Sequence, residues 1–367
     1  MSRSSGDELS PSADRGSDGP ESAPRRQLSD RLERLPPGHP SSPYEADGTR
    51  REATPRVRDL DTYEYDEDID VVEAGPADQR TDADHLDDSP RPLTDAEWSE
   101  RYADVRADTF DARRSGLETN QQNTIDDLNQ IWTPERTAVH ETIISDYLAK
   151  SSDVPRDYKA VMAGGLGGAG KSTVLDLHAG IDQSQYLKIN PDNIKEDLAS
   201  RGLLPELDGV TPMEASDLAH EEASYIAKQL AGRAREQGIN ITWDITMSSL
   251  ESTEKKIDDL RSSGYQQIVG VFVDIPIETS VARAEARHRE GHEKYRAGEG
   301  FGGRLVRPEL IYNQADSEWG SQNRRTFESL KPRFDSWSIY DNSVDHRAPR
   351  LIERSSNQAS EYEETSG

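Results

Sequence analysis

Between residues 133 and 352, short apolar runs alternate with longer segments in which apolar residues recur every three or four positions. The short runs are typical of strands buried within a sheet, and the longer segments are typical of amphipathic helices. The pattern predicts strands at residues 159–163, 186–190, 239–245, 268–274 and 337–341, and a short edge strand at 351–352. Because helices separate these strands, we predict an α/β fold whose mostly parallel sheet is covered by helices on both faces.

Residues that favour helix caps mark where several of these helices begin. The pair Thr133-Pro134 is a typical helix start, and Pro191 predicts another. The Thr-Pro-Met-Glu sequence at the start of 211–235 matches a capping box and predicts one long helix over that range. After the fourth strand we predict an arginine-rich helix at 277–289 and then a polar, glycine-rich loop at 291–304.

The first part of the chain differs in composition from the rest. Residues 1–90 hold 23 acidic residues against 11 arginines and no lysine, a net charge of −12, and Val71-Val72 is their single apolar cluster. Such a segment cannot bury enough apolar surface to offset the entropy lost on ordering. We therefore predict a disordered acidic tail at 1–93, a helical extension at 94–130, an α/β domain at 131–353 and a disordered C-terminal tail at 354–367.

Charge and composition exclude several classes of function. The net charge of −27 argues against binding of nucleic acid or an anionic membrane over the whole surface. Because the chain has no cysteine, disulfides, thiolate catalysis and zinc–thiolate sites are excluded. No stretch approaches 18 apolar residues, and no apolar signal segment is visible at the N-terminus. We expect a cytoplasmic protein without a nucleic-acid or membrane partner.

The most specific motif lies between the first predicted strand and the helix that follows it. Residues 165–172 match G-x-x-x-x-G-K-[S/T], in which glycines let successive backbone N–H groups point at phosphate oxygens. In such a loop Lys171 would reach the β- and γ-phosphates, and the Ser172 hydroxyl would hold Mg²⁺. The alternative is a glycine-rich turn without a ligand. The predicted nucleotide-binding residues are Gly165, Leu166, Gly167, Gly168, Ala169, Gly170, Lys171, Ser172 and Thr173.

Polar residues also follow the second and third strands, at the sheet edge where ligands bind in open α/β folds. Asp192 is placed to accept the proton of an acceptor hydroxyl, or it caps its helix. Lys195 shares a helix face with Asp192 and either orients it or is a surface lysine. Asp244 holds the water shell of a metal or is simply an acid at a strand end, and Thr246 lies beside it.

Arginines dominate the region after the fourth strand. Arg283 and Arg287 share one helix face, and Arg304 follows in the glycine-rich loop. As a set they favour a lid that closes over the γ-phosphate, although each alone is typical of a protein surface. Glu221 and Glu222 lie on the preceding long helix, where consecutive side chains point about 100° apart, so both cannot face the site equally. Solvated helix acids are the alternative.

Several of these motifs together resemble the zeta toxin family, whose members are phosphate-loop kinases of toxin–antitoxin systems. The resemblance covers residues 133–353. It rests on Gly-Gly-Leu-Gly-Gly-Ala-Gly-Lys-Ser-Thr at 164–173, Asn190-Pro191-Asp192-x-x-Lys195, His220-Glu221-Glu222-Ala223-Ser224, Trp243-Asp244-x-Thr246 and Gly303-Arg304-x-Val306.

The resemblance implies a kinase that uses ATP or GTP with Mg²⁺ and phosphorylates the 3′-hydroxyl of UDP-N-acetylglucosamine. It also implies an antitoxin partner. Carried over by motif, Lys171 and Ser172 bind the nucleotide and metal, Asp192 activates the acceptor hydroxyl, and Arg287 and Arg304 bind the γ-phosphate. Glu221 or Glu222, together with Thr246, match polar residues on the acceptor or metal side, and Arg283 is the alternative to Arg287. Lys195 and Asp244 are further predicted substrate-binding residues.

One departure bears on the acceptor. The third strand ends in Trp243-Asp244-Ile245-Thr246, whereas the toxins carry Glu-Gly-Thr at this place. Two alternatives to the sugar-nucleotide kinase therefore stay open. The chain is a phosphate-loop kinase for another small-molecule hydroxyl, or a nucleotide-binding regulatory protein without turnover.

Overall fold

The computed structural model describes residues 91–355. The predicted acidic tail up to residue 90 and the predicted C-terminal tail from residue 356 lie outside the described residues. The helices are α1 (Asp95–Arg114), α2 (Thr119–Asn123), α3 (Pro134–Lys150), α4 (Lys171–Leu177), α5 (Pro191–Ser200), α6 (His220–Glu236), α7 (Leu250–Ser262), α8 (Ile277–Arg296), α9 (Pro308–Tyr312) and α10 (Gln322–Leu330). The strands are β1 (Thr124–Asp126), β2 (Ile131–Trp132), β3 (Lys159–Gly164), β4 (Leu187–Ile189), β5 (Ile241–Asp244), β6 (Gln267–Asp274), β7 (Ala315–Asp316), β8 (Gly320–Ser321), β9 (Ser336–Asp341) and β10 (Arg350–Arg354).

Six of the strands form one sheet in the order β10-β9-β6-β3-β5-β4. Every neighbouring pair is parallel except β10 and β9, which are antiparallel at the edge. The mostly parallel sheet predicted from the sequence is therefore confirmed. In this order β3 lies between β5 and β6, and Ala163 is opposite both Asp244 and Val271. The carboxyl end of β3 consequently lies beside the carboxyl ends of both neighbours.

The core lies on both faces of this sheet. Successive residues of β3 alternate between two apolar clusters, with Met162 in one and Val161 and Ala163 in the other. The first cluster is completed by α3, α5, α6, α7 and α10, and the second by α4, α8 and α9. Because side chains of a strand point to opposite faces in turn, this division confirms that helices cover the sheet on both sides.

The long helix predicted over 211–235 is wrong at its start. The capping contacts do form, since Glu214 Oε2 accepts a hydrogen bond from Thr211 N at 2.8 Å, but α6 begins only at His220. The physical reason is that Glu214 has other partners. Its carboxylate also binds Arg101 Nη2 at 2.6 Å and contacts His288 Nε2 at 3.0 Å. These long-range contacts anchor a turn there rather than a continuous helix.

Two other boundaries differ from the prediction. Helix α8 runs to Arg296, so the loop predicted at 291–304 begins later, at residue 297. Gly291 lies inside the helix at a close approach, because a Cβ there would lie 2.5 Å from Gly303 Cα. The loop therefore folds back onto its own helix. In the predicted helical extension 94–130, helix ends at Asn123 and a short β1–β2 hairpin follows.

The helix α1 packs against α8. Thr94 caps it in a full capping box with Glu97, as the Thr-Asp-Ala-Glu sequence favours. Trp98 is buried, with its ring 4.8 Å from the ring of His288 and 5.8 Å from that of His292. The segment before the hairpin is thus packed onto the α/β core. None of the helices between residues 91 and 355 is long and apolar enough to span a membrane.

Replacement of glycine by alanine is expected to change the free energy of unfolding in opposite directions at two positions. A Cβ at Gly270 of β6 would lie 2.6 Å from the Phe334 ring, whereas a Cβ at Gly232 of α6 has nothing within 4 Å. We expect Gly270→Ala to lower the free energy of unfolding by about 1–3 kcal/mol through overpacking. We expect Gly232→Ala to raise it by roughly 1 kcal/mol through helix propensity. Urea unfolding followed by tryptophan fluorescence measures both, and equal shifts would contradict the packing described here.

Candidate active site

At several positions of the loop between β3 and α4, the backbone adopts a conformation that only glycine takes without strain. Gly165, Gly168 and Gly170 have φ angles of 146°, 69° and 76°. A Cβ at Gly165 would lie 2.4 Å from the carbonyl oxygen of Val273, and one at Gly170 would lie 2.6 Å from Asn342 Nδ2. The glycines are therefore required by both conformation and space. The loop leads directly into α4, whose first residue is Lys171.

Side chains from α8 and the segment after β9 bind the loop from outside. Ser280 Oγ donates to Gly167 O at 2.7 Å, Arg283 Nη1 to Gly168 O at 2.9 Å, and Asn342 Nδ2 to Ala169 O at 2.8 Å. In a trans peptide the N–H points away from the carbonyl. Binding the carbonyls from outside therefore turns the N–H groups of Gly168 and Gly170 towards the opposite side, where a phosphate would lie.

Arg283 is therefore not placed as its sequence match implied. Its guanidinium also donates to Asn342 O at 2.9 Å and pairs with Asp345 at 2.7 Å. These contacts put Arg283 behind the phosphate loop. The structure does not bring it together with Arg304 and Asp192, so it is a support of the loop rather than an alternative to Arg287.

Asp244 lies at the centre of a buried charge cluster. The carboxylate is fully buried, with Oδ1 at 3.8 Å from Lys171 Nζ and Oδ2 at 3.6 Å from Lys188 Nζ. Asn190 Nδ2 adds a hydrogen bond to Oδ2 at 3.3 Å. Lys188 Nζ also donates to Ser172 Oγ at 2.9 Å. The parallel pairing of β5 with both β3 and β4 brings these five residues together.

Asp192 lies one residue into α5 and is buried. Asn190 caps this helix by accepting from Asp192 N at 2.7 Å, so the Asp192 carboxylate is available for other contacts. Its two oxygens bind Lys195 Nζ at 2.9 Å and Arg304 Nη1 at 2.8 Å. Burial raises the pKa of Asp192, but the charges of Arg304 and Lys195 outweigh it and hold the pKa below its usual value. The carboxylate is ionised.

Arg287 and Arg304 form a pair of like charges. Burial, together with the nearby charge of Arg304, lowers the pKa of Arg287 well below its ordinary value. Two cations held close together in a poorly solvated place strongly favour a bound anion. A phosphoryl group would relieve this repulsion.

An open cavity of about 520 Å³ lies beside these groups. Ser172, Lys188 and Asn190 line it, and so do Glu196 of α5 and Arg304. Its size is within the usual range for small-molecule sites. The cavity lies at the carboxyl end of the parallel strands, where open α/β sheets bind ligands.

Of the predicted site residues, Ser172 and Arg304 line this cavity. Glu222 and Thr246 make their contacts elsewhere. Glu222 points towards α3 instead, and its carboxylate binds Arg136 Nε at 2.5 Å and contacts His140 Nε2 at 2.7 Å. Thr246 is buried, and its carbonyl oxygen accepts from Gly165 N at 3.3 Å and from Asn323 Nδ2 at 2.9 Å. Thr246 thus fastens the start of the phosphate loop.

The adjacent acid, Glu221, is partly exposed at the start of α6. The side chains of Glu221 and Glu222 thus lie in different surroundings, which agrees with the prediction that the two consecutive acids do not face the same way.

Sequence reasoning missed Lys188, Ser280 and Asn342. A signal for Lys188 was present, because Leu187, Lys188 and Ile189 alternate apolar, polar and apolar along β4. A lysine near the carboxyl end of a strand in such a pattern lies at the ligand-binding edge. Nothing in the sequence alone singles out Ser280 and Asn342, whose role depends on the loop conformation.

A sequence model of the zeta toxin family matches residues 145–346, more than half of the chain. The chain belongs to the zeta toxin family. The matched range includes the phosphate loop, Asp192, Asp244, Arg287 and Arg304. No curated protein gave a significant match.

Solved structures of other proteins resemble this zeta toxin family member in part. The AvrRxo1-ORF1:AvrRxo1-ORF2 complex with sulphate ions is 17% identical, with a TM-score of 0.47, covering 64% of this chain and 73% of that one. A structure of the PezAT chromosomal toxin–antitoxin system of Streptococcus pneumoniae is 16% identical, with a TM-score of 0.42, covering 62% and 82%. A putative kinase from Chloroflexus aurantiacus is 12% identical, with a TM-score of 0.36, covering 56% and 97%.

We expect the contact between Arg136 and Glu222 to stabilise the fold. Arg136→Met would leave a fully buried carboxylate without its guanidinium partner, and should lower the free energy of unfolding by about 3–5 kcal/mol. The matched control is Arg233→Met, which removes an exposed pair with Glu141 and should cost less than about 1 kcal/mol. Urea unfolding measures both, and equal losses would show that Glu222 is not a structural acid.

Proposed function

We propose that this chain is a kinase that transfers the γ-phosphate of ATP or GTP to a hydroxyl group of a small molecule. One observation carries the proposal: a single cavity joins Ser172 of the phosphate loop to Arg304, and Arg304 is paired with the buried carboxylate of Asp192. A site that only bound a nucleotide would need no more than the phosphate loop. An ionised acid next to cations on the far side is what phosphate transfer to a hydroxyl requires in addition.

The donor half would be formed by the phosphate loop and Lys171. The N–H groups turned towards the cavity would receive phosphate oxygens, and the Lys171 ammonium would lie against the β- and γ-phosphates. Membership of the family also implies Mg²⁺. Ser172 Oγ and the Asp244 carboxylate fit this ion, since they are oxygen ligands and the structure holds a cation, Lys188 Nζ, close to both. When bound, Mg²⁺ supplies charge neutralisation at the phosphates.

The acceptor half would be formed by Asp192 and its two cations. Because its pKa lies below the usual value, Asp192 is ionised at neutral pH and can accept the hydrogen of an acceptor hydroxyl. Lys195 fixes one carboxylate oxygen, and Arg304 now occupies the other. A γ-phosphate would attract Arg304 from Asp192, which frees that oxygen for the acceptor while the arginine stabilises the transferring group.

Family membership supports UDP-N-acetylglucosamine as the acceptor, with its 3′-hydroxyl as the group phosphorylated, and an antitoxin protein as the partner. One observation favours a second candidate, a different small-molecule hydroxyl. Asp244, which stands where the sequence departs from the toxin pattern, contacts Lys171 and Lys188 on the donor side. The acid at the end of this strand is therefore engaged by two cations on the donor side.

Phosphate transfer is tested directly with the purified full-length chain. With Mg²⁺ and ATP or GTP, we expect UDP-N-acetylglucosamine or a related sugar nucleotide to gain one phosphate by mass spectrometry. Lys171→Ala and Asp192→Asn should each reduce the rate at least about 10²-fold, because each removes a group that acts on the reacting atoms. Lys255→Ala, at an exposed lysine paired with Asp259, is the matched control and should leave the rate unchanged.

The same variants separate the remaining alternatives. If sugar nucleotides stay unmodified, a metabolite extract is screened for compounds that gain a phosphate with the wild type and not with Asp192→Asn. A phosphorylated compound of another class would establish the second candidate. Nucleotide binding without any transfer, together with growth arrest on expression that Asp192→Asn does not relieve, would contradict the kinase and favour a regulatory protein.

The pH profile of the reaction tests how Asp192 is held. Activity that needs ionised Asp192 is present above its pKa and is lost as pH falls through it. Since the charge of Lys195 helps to lower this pKa, Lys195→Met should raise it and move the acidic limb of kcat/KM to higher pH. The control is Lys228→Met, at an exposed position of α6. Superimposable acidic limbs for Lys195→Met and the wild type would contradict the assigned role of Lys195.

A further inference from the structure

Lys188 lies on the edge strand β4 and reaches across to the phosphate loop. Its Nζ is 2.9 Å from Ser172 Oγ and 3.6 Å from Asp244 Oδ2. These are the two oxygen ligands that fit the metal of the proposed kinase. The family motifs that mark the chain do not include Lys188, and its ammonium is already present where a divalent cation would bind.

The need for a cation at this place follows from the burial of Asp244. Its carboxylate is fully buried, and a buried charge requires compensation by neighbouring charges and hydrogen bonds. Lys171 is 3.8 Å away on the other carboxylate oxygen, so Lys188 is the nearer cation to Oδ2. Without a metal, Lys188 compensates the charge on that side.

Lys188 and a divalent cation cannot both keep these contacts. A Mg²⁺ ion binds its oxygen ligands at about 2.0–2.1 Å and uses the lone pairs that the ammonium now engages. The two cations would also repel each other at short range. The lysine can move, because its side chain is 28% exposed and it lines the open cavity.

We propose that Lys188 holds the place of the metal ion in the nucleotide-free protein and is displaced into the cavity when the metal arrives with the nucleotide. It is a positioning residue that keeps Ser172 and Asp244 in the geometry for the metal and prevents metal from binding alone. The proposal rests on the proposed function, in that it takes Ser172 and Asp244 as the metal ligands.

The test measures binding of Mn²⁺ alone to the full-length chain without nucleotide, from the electron paramagnetic resonance signal of free Mn²⁺. We expect Lys188→Met to bind one Mn²⁺ at least about tenfold more tightly than the wild type, because the competing charge is gone. Lys188→Arg keeps the charge and should bind as weakly as the wild type. Lys159→Met, at a partly exposed lysine of β3 that pairs with Asp157, is the matched control and should also match the wild type.

A second measurement locates the gained site and guards against misfolding. Mn²⁺ should raise the thermal unfolding midpoint of Lys188→Met and leave that of the wild type unchanged, and adding Asp244→Asn to Lys188→Met should abolish both effects. If Lys188→Met does not fold, Lys188→Gln replaces it. Equal Mn²⁺ affinity of the wild type and the neutral variant, or a gain that survives Asp244→Asn, would overturn the proposal.

The Mn²⁺ measurement and the phosphate-transfer assay can succeed or fail independently of each other. A gain in Mn²⁺ affinity without any transfer supports the role of Lys188 and refutes the kinase. Transfer by the wild type without a gain in the variant keeps the kinase and refutes the role of Lys188.

Discussion

The geometry of the site depends on one buried carboxylate, that of Asp244. This carboxylate forms ion pairs with Lys171 of the phosphate loop and Lys188 of the edge strand, and it accepts a hydrogen bond from the amide of Asn190. Asn190 uses its other amide atom to cap α5 by accepting from Asp192 N. A single amide therefore links the carboxylate on the donor side to the helix that presents the acid on the acceptor side. A displacement of Asp244 would disturb both the donor side and the acceptor side of the site, because both atoms of the Asn190 amide are engaged.

Two arginines near the cavity lie close enough to repel each other. Arg287 and Arg304 are close enough for the charge of one to lower the pKa of the other. Arg304 is stabilised meanwhile by Asp192, which is itself ionised because of that contact. In the proposed reaction, a γ-phosphate would compete with Asp192 for the same arginine. Binding of the donor would then be coupled to release of the acid through one ion pair.

Features set by local chemistry were predictable from the sequence, and features set by distant partners were not. The order of strands and helices and the phosphate loop follow from periodicity, caps and glycine spacing. The motif around Glu222 predicts a place in the site, yet the orientation of its side chain depends on Arg136, 86 residues earlier in the chain. The start of α6 was misplaced for the same reason, since the contacts of Glu214 with Arg101 and His288 decide it. Periodicity shows which face of a helix is apolar, but not which buried cation an acid will meet.

Helix α8 connects the phosphate loop with the N-terminal part of the described chain. Near its start, Ser280 and Arg283 bind carbonyls of the loop, and Arg287 follows one turn later. One residue further, His288 begins the contact with Trp98 of α1. Because these residues lie on consecutive turns of one helix, we infer that the position of Arg287 depends on packing at α1 as well as on the loop. The helix α1 is therefore packed onto the same helix that carries Arg283 and Arg287, and its Arg101 pairs with the buried Glu214.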